Sequence, residues 1–174
     1  MAFAAVTLAR QIFGKLNDVK VLLIGAGETI ELVAKHLLEQ GAAHVYIGSR
    51  TLADGEALAA RDPARLTAIE LDVTREDQVA AAAARCTDVN LLVNNAGSYG
   101  MTTLMTAPDL GALRTEIETN CIAMISMVRA FAPALKANGG GAVVNMTSEH
   151  PADSPAALTA ITFRYRTVLG AKGV

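Results

Sequence analysis

Short runs of apolar, β-branched residues alternate along the chain with longer stretches whose apolar positions recur every three to four residues. Such alternation predicts βαβ units feeding a parallel sheet. Val19 to Ile24 (VKVLLI) is almost continuously apolar, as a strand buried on both faces must be. Before it, Ala5, Leu8, Ile12 and Leu16 recur at helical spacing and predict an amphipathic leading helix within residues 1–17. After it, Glu28 to Gln40 carries apolar residues at 30, 33, 34, 37 and 38 and closes on Gly41, a residue that helix C-termini favour.

The same pattern predicts strands at His44–Ile47, Leu66–Leu71, Val89–Val93 and Ala142–Met146, with helices at Leu52–Ala60 and Arg75–Ala84. A long helix is expected from Asp109 to Ala137, with Leu113, Ile117, Cys121, Met124, Ile125 and Val128 on one face, a kink at Pro133 and a stop at Gly139-Gly140-Gly141. A last helix, Pro155–Leu169, would start on its proline. Right-handed crossovers then give one α/β domain over residues 1–174: a three-layer, Rossmann-like sheet of five parallel strands in the order 3-2-1-4-5, helices on both faces. Its binding crevice falls at the carboxyl ends of strands 1 and 4.

Composition narrows the function classes. The 174 residues are 52% apolar and 18% charged, enough for one packed domain and too few for two of ordinary size. A net charge of −2, without a run of Lys or Arg, argues against nucleic acid and anionic membrane as partners. No segment approaches the length of a membrane span, and Arg10 interrupts the apolar N-terminus as no signal peptide would. Cys86 and Cys121 lie far apart and outside any Cys/His cluster, so neither a disulfide nor a metal site is indicated, and a reducing cytoplasm is the expected location.

The candidate chemistry starts where the first buried strand meets its helix. In Gly25-Ala26-Gly27-Glu28-Thr29-Ile30, Gly25 permits a tight turn and Gly27 lets backbone approach a pyrophosphate. The helix start behind them offers unpaired N–H groups to an anion. Ile30 stands where a third glycine is usual, so a turn that binds nothing is the competing explanation. At the end of the second strand, Ser49, Arg50 and Thr51 replace the acid that would bind a ribose 2′-hydroxyl. A guanidinium there favours NADP(H) over NAD(H), unless Arg50 is merely solvated.

Two resemblances meet in this chain. From Thr7 to about Gly41, TLARQIFGKL and VLLIGAGETIELVAKHL resemble the NADPH-binding domain of glutamyl-tRNA reductase, without the catalytic domain and its nucleophilic cysteine. From about Gly41 to Ser148, Leu71-Asp72-Val73-Thr74, Asn94-Asn95-Ala96-Gly97, Glu118-Thr119-Asn120 and Val143-Val144-Asn145-Met146-Thr147-Ser148 resemble a short-chain dehydrogenase/reductase. The second resemblance implies that Asp72 and Val73 border the adenine and that Asn94, Ala96 and Gly97 line the cofactor. It also implies that Asn120 and Ser148 occupy two of four catalytic positions. A change of family inside one Rossmann half points to a chimera made by recombination or laboratory design.

Carbonyl reduction by a nicotinamide needs an acid for the forming alkoxide. In the resembled family this is a tyrosine whose phenol is acidified by a lysine four residues later. Here Tyr46, Tyr99 and Tyr165 are followed at that spacing by Arg50, Thr103 and Leu169, and the expected tyrosine position holds Ile161. Tyr165, one turn on, and His150 are the substitutes to consider. Complete members of the family carry two further strands and a substrate segment, so strand 5 is expected to be an open edge, with homo-oligomerisation as the remedy. The expectation is an NADP(H)-binding domain without efficient catalysis. The alternatives are a carbonyl oxidoreductase with a displaced proton donor and a scaffold that holds no ligand.

Overall fold

The apolar runs become the centre of a sheet, and the periodic stretches become the helices that cover it. In chain order the elements are α1 (Ala2–Phe13), β1 (Lys20–Ile24), α2 (Glu28–Glu39), β2 (His44–Ser49), α3 (Leu52–Ala59), β3 (Leu66–Glu70), α4 (Glu76–Arg85) and β4 (Leu91–Asn94). They continue with α5 (Gly111–Ile117), α6 (Ala123–Ala137), β5 (Gly141–Asn145) and β6 (Arg166–Leu169). The structure, a computed structural model, describes residues 2–25, 27–98, 109–146 and 166–169.

Five strands are parallel in the order β3-β2-β1-β4-β5, as the alternating pattern predicts. The register aligns their carboxyl ends, with Ile24 beside Gly48 and Asn94, and Asn94 beside Asn145. Alternate residues of each strand feed two cores. On one face Val21, Leu23, Ile47 and Val93 pack with Ile30, Val33 and Leu37 of α2 and with Ala5, Val6 and Ala9 of α1. On the other, Leu22, Ile24, Leu92 and Val143 pack with Val79 of α4 and with Met127, Phe131 and Leu135 of α6. Burial on both sides explains why β1 and β4 tolerate almost no polar residue.

Three expectations are corrected. Arg166–Leu169 is not helical: it forms β6, antiparallel to β5, with Gly141 opposite Leu169 and Val144 opposite Arg166. Strand 5 is therefore not an open edge, because its outer hydrogen-bonding groups are taken up by that pairing. The long helix is not one regular helix either. A π-helical turn, Glu118–Ile122, separates α5 from α6. Its wider turn resets the helical phase beyond it, so Ile125 is 54% exposed while Met124, expected on the same face, is buried with Met127, Phe131 and Leu135; Ile117, ahead of the turn, is 37% exposed. Pro133 lies inside α6, and the helix continues past it to Ala137.

A polar bracket ties the strands at the end of the sheet away from the crevice. Asp88 accepts a hydrogen bond from Lys20 Nζ at 2.7 Å and one from the Tyr46 hydroxyl at 3.0 Å. Burial raises the carboxyl pKa, but the bonds from Lys20 and Tyr46 outweigh it and leave Asp88 below its ordinary value. Burial, then the bond to Asp88, pushes the Tyr46 phenol up to about 12. A depressed carboxyl stabilises the fold above its unfolded pKa and loses that contribution as pH falls; a raised phenol loses its contribution as pH rises. Urea unfolding should thus show stability falling below about pH 4 and again above about pH 10, with both slopes shallower in Asp88→Asn. Slopes identical to wild type would show that the bracket is not coupled to folding.

Candidate functional site

The turn after β1 is built by two glycines in conformations other residues avoid. Gly25 has φ +124° and donates its N–H to Gly48 O at 2.8 Å, and a Cβ placed on it would lie 3.1 Å from Asn95 Nδ2. Gly27, at φ +99°, is the N-cap of α2, and a Cβ there would meet nothing within 4 Å. No side chain caps α2, so the first N–H groups of the helix, from Glu28, Thr29 and Ile30, remain available to an anion. Ile30 contributes that backbone group alone, since its side chain is wholly buried beneath the loop.

A cleft of about 380 Å³ opens from Gly25 across the carboxyl ends of the strands. One wall is the end of β2, where Gly48 to Thr51 and Asp54 line it; the other comprises Leu71 to Thr74 after β3 and Asn95 to Ser98 after β4. Arg50 is exposed on the first wall. Ser49 is buried and spends its hydroxyl proton on Thr51 O at 2.6 Å. It shapes the turn, and Arg50 and Thr51 are left as the donors toward a ligand. Facing them, Asp72 accepts bonds from Thr74 N–H and Thr74 Oγ1 at 3.0 and 2.7 Å, while its own N–H donates to Gln78 Oε1. Burial raises the Asp72 pKa, but the Thr74 bonds and then the charge of Arg50 bring it below the ordinary value. Val73 is 7% exposed, so it offers the cleft little beyond its backbone.

The loop after β4 is fixed from below and from the side. Asn94 is 3% exposed and donates from Nδ2 to Asn145 Oδ1 at 2.8 Å, bridging β4 to β5. Asn95, Ala96 and Gly97 then line the cleft. Asn120 comes from the π-helical turn: its Oδ1 accepts from Ser98 N–H at 2.8 Å and its Nδ2 donates to Ser98 O at 2.7 Å. The two ends of its amide hold both backbone groups of one loop residue, so the side chain positions the cleft wall. A turn of π-helix at such a position is a common local solution where a side chain must be re-aimed.

The structure thus brings Gly25, Arg50, Thr51, Asp72, Val73, Ala96 and Gly97 to one cleft, with Gly27, Glu28 and Thr29 at the adjoining helix start. Ser148, Tyr165, His150 and Ile161 lie outside the described residues. Tyr46 belongs to the bracket at the opposite end of the sheet, where a phenol pushed up to about 12 and bonded to Asp88 is no proton donor at neutral pH. His44 bonds Thr67 Oγ1 and His36 pairs with Glu39; among the described residues no group of His, Cys, Asp and Glu suits a metal ion. Ser98, Thr115, Thr119 and Asp54 also line the cleft. Sequence spacing pointed to none of these four in that role, although Asp54 follows Arg50 by four residues.

Residues 19–160 match the family model described as short chain dehydrogenase. The solved structure of a short chain dehydrogenase from Burkholderia cenocepacia in complex with NADP is 36% identical and superposes with a TM-score of 0.66, over 83% of this chain and 60% of that one. Glutamyl-tRNA reductases match a shorter piece more closely. That of Stutzerimonas stutzeri is 60% identical over 60 residues, and that of Colwellia psychrerythraea 56% identical over 61, each match covering about a third of this chain and 14% of the relative. Only residues 1–18 and 161–174 fall outside the family match, too few to hold a 60-residue match, so the two similarities overlap in sequence.

Proposed function

The chain belongs to the short chain dehydrogenase family, and from that premise we propose that it binds NADP(H) in preference to NAD(H) without efficient turnover. The observation that carries this reading is the conjunction of an open glycine at Gly27 and an uncapped α2 with an exposed Arg50 on the adjoining cleft. The donor set fits a dinucleotide: backbone N–H groups for the pyrophosphate, a guanidinium for a 2′-phosphate, and glycines where a side chain would collide with the ligand. When bound, the nicotinamide supplies a hydride. The chain's own part is to seat the cofactor, and Asn120 with Ser98 fixes the wall beside it. Weak turnover is argued from sequence: no tyrosine carries a lysine four residues on, so an uncompensated phenol keeps a pKa near 10 and protonates an alkoxide poorly.

The overlap of a 60%-identical piece from one family with a 36%-identical frame from another supports a composite origin. One natural chain matching both segments equally well would remove that inference. Exposed Leu110, Ile117, Ile122 and Ile125 on and beside α5 and α6 support homo-oligomerisation.

Thermal unfolding with NADPH, NADH and no ligand tests the reading. A ligand at a hundred times its Kd adds about 2.7 kcal/mol, a rise of roughly 5 to 10 °C for a domain of this size. The larger shift is expected with NADPH. Equal shifts would refute the preference, and no shift with either would leave the ligand-free scaffold. Repeating the ligand-free melt at tenfold protein concentration should raise the midpoint if copies associate.

A further inference from the structure

The proposed cofactor cleft does not stand alone. A second opening of about 450 Å³ lies between α2 and α3, bordered by Gly27, Glu28 and Glu31 on one side and by Ala57, Leu58 and Arg61 on the other. Asp54 lines both openings and is the residue their walls share. It stands in the first turn of α3, its N–H donating to Thr51 O at 3.1 Å, with an exposed side chain. The ridge between the two openings therefore carries a carboxylate that shares the first cleft with Arg50.

Charge around the first cleft is less favourable to a phosphate than Arg50 alone suggests. Its ionisable lining residues are Arg50, Asp54 and Asp72, one cation against two acids. Asp72 already feels the charge of Arg50, which helps to keep that carboxyl ionised. In the second opening Arg61 is engaged by an ion pair with Glu31, so its charge is offset there, and Glu28 and Asp54 remain as acids. A 2′-phosphate held by Arg50 would carry close to two negative charges into this setting, whereas a 2′-hydroxyl would bring none and could donate to a carboxylate.

We propose that Asp54 is a specificity-determining residue which opposes Arg50, penalising the 2′-phosphate and narrowing the preference for NADP(H) over NAD(H). The proposal rests on the reading of the crevice as a dinucleotide site. It makes Asp54 act through charge at the ribose end of the site.

Calorimetric titration of the full chain with NADPH, NADH, 2′,5′-ADP and 5′-AMP tests it. Asp54→Asn should tighten NADPH and 2′,5′-ADP by about threefold to tenfold, leave NADH and 5′-AMP unchanged or weaker, and lose most of this effect when salt is raised. Glu56→Gln, which removes an exposed acid from the same helix outside both linings, should leave the ratio at the wild-type value. A purely structural role for Asp54 at its helix start would shift all four affinities alike, and that result overturns the proposal. If Arg50→Ala lowers the NADPH to NADH ratio while Asp54→Asn leaves it unaltered, the dinucleotide reading stands and the role of Asp54 falls. Binding of none of the four probes to wild type overturns both.

Discussion

Phe131→Ala is expected to lower the unfolding free energy by about 3–5 kcal/mol, a large part of the roughly 5–15 kcal/mol that a domain of this kind possesses. Phe131 is fully buried in the core beneath α6, with Leu22, Leu92, Val143 and Met127 in the same cluster. Strands on one side and α4 on the other restrict collapse around the missing ring, so most of the cavity should persist. The midpoint of urea unfolding should fall by about 1 M or more with its slope unchanged. Ile125→Ala on the same helix removes a side chain that is 54% exposed and should change stability by no more than about 0.5 kcal/mol. Equal losses in the two variants would show that the helix presents the other face to the core.

That contrast between Phe131 and Ile125 shows where sequence periodicity succeeds and where it stops. Apolar spacing within α1, α2 and α4 identifies the helices, and Ile30, Val33, Ala34 and Leu37 do face the core. Spacing carried from Leu113 through Cys121 keeps Met124 and Val128 on the core side but places Ile125 there too, because a π-helical turn resets the phase and leaves no mark in hydrophobicity. β6 was hidden for a related reason. Its four residues acquire their identity from antiparallel pairing with Val143 and its neighbours, a partner over twenty positions away, and a segment so short has no period of its own.

The crevice was legible to a different degree on each wall. Glycines announce themselves, because positive φ and close approach admit few other residues: Gly25 and Gly27 both have such a φ, and Gly25 has the close neighbours as well. Roles that depend on what a side chain bonds were not legible. Ser49 spends its hydroxyl proton on Thr51 O, and Asn120 holds the N–H and the C=O of Ser98 with the two ends of its amide. Asp54 was missed because an acid in the first turn of a helix is the ordinary complement to the helix dipole. Only the two openings meeting at its side chain give it a second meaning.

Gly27→Val should abolish dinucleotide binding, by about a hundredfold or more in Kd, while the domain stays folded. The two effects separate at this position because its surroundings are open: a Cβ meets no atom within 4 Å. The fold should lose only the strain of a β-branched residue at φ +99°, about 1–3 kcal/mol. Branched methyls at the N-cap would instead stand where a pyrophosphate must come to reach the free N–H groups of α2. Losing those charge-assisted bonds, each about 1.5–3 kcal/mol, accounts for the fold-change. Gly25 could not make the same test, because a Cβ there approaches Asn95 Nδ2 at 3.1 Å and both fold and site would suffer. Circular dichroism and calorimetric titration with NADPH on one preparation would check the prediction. A folded Gly27→Val that binds NADPH as wild type does would mean that the cofactor, if held at all, does not lie across the glycine turn.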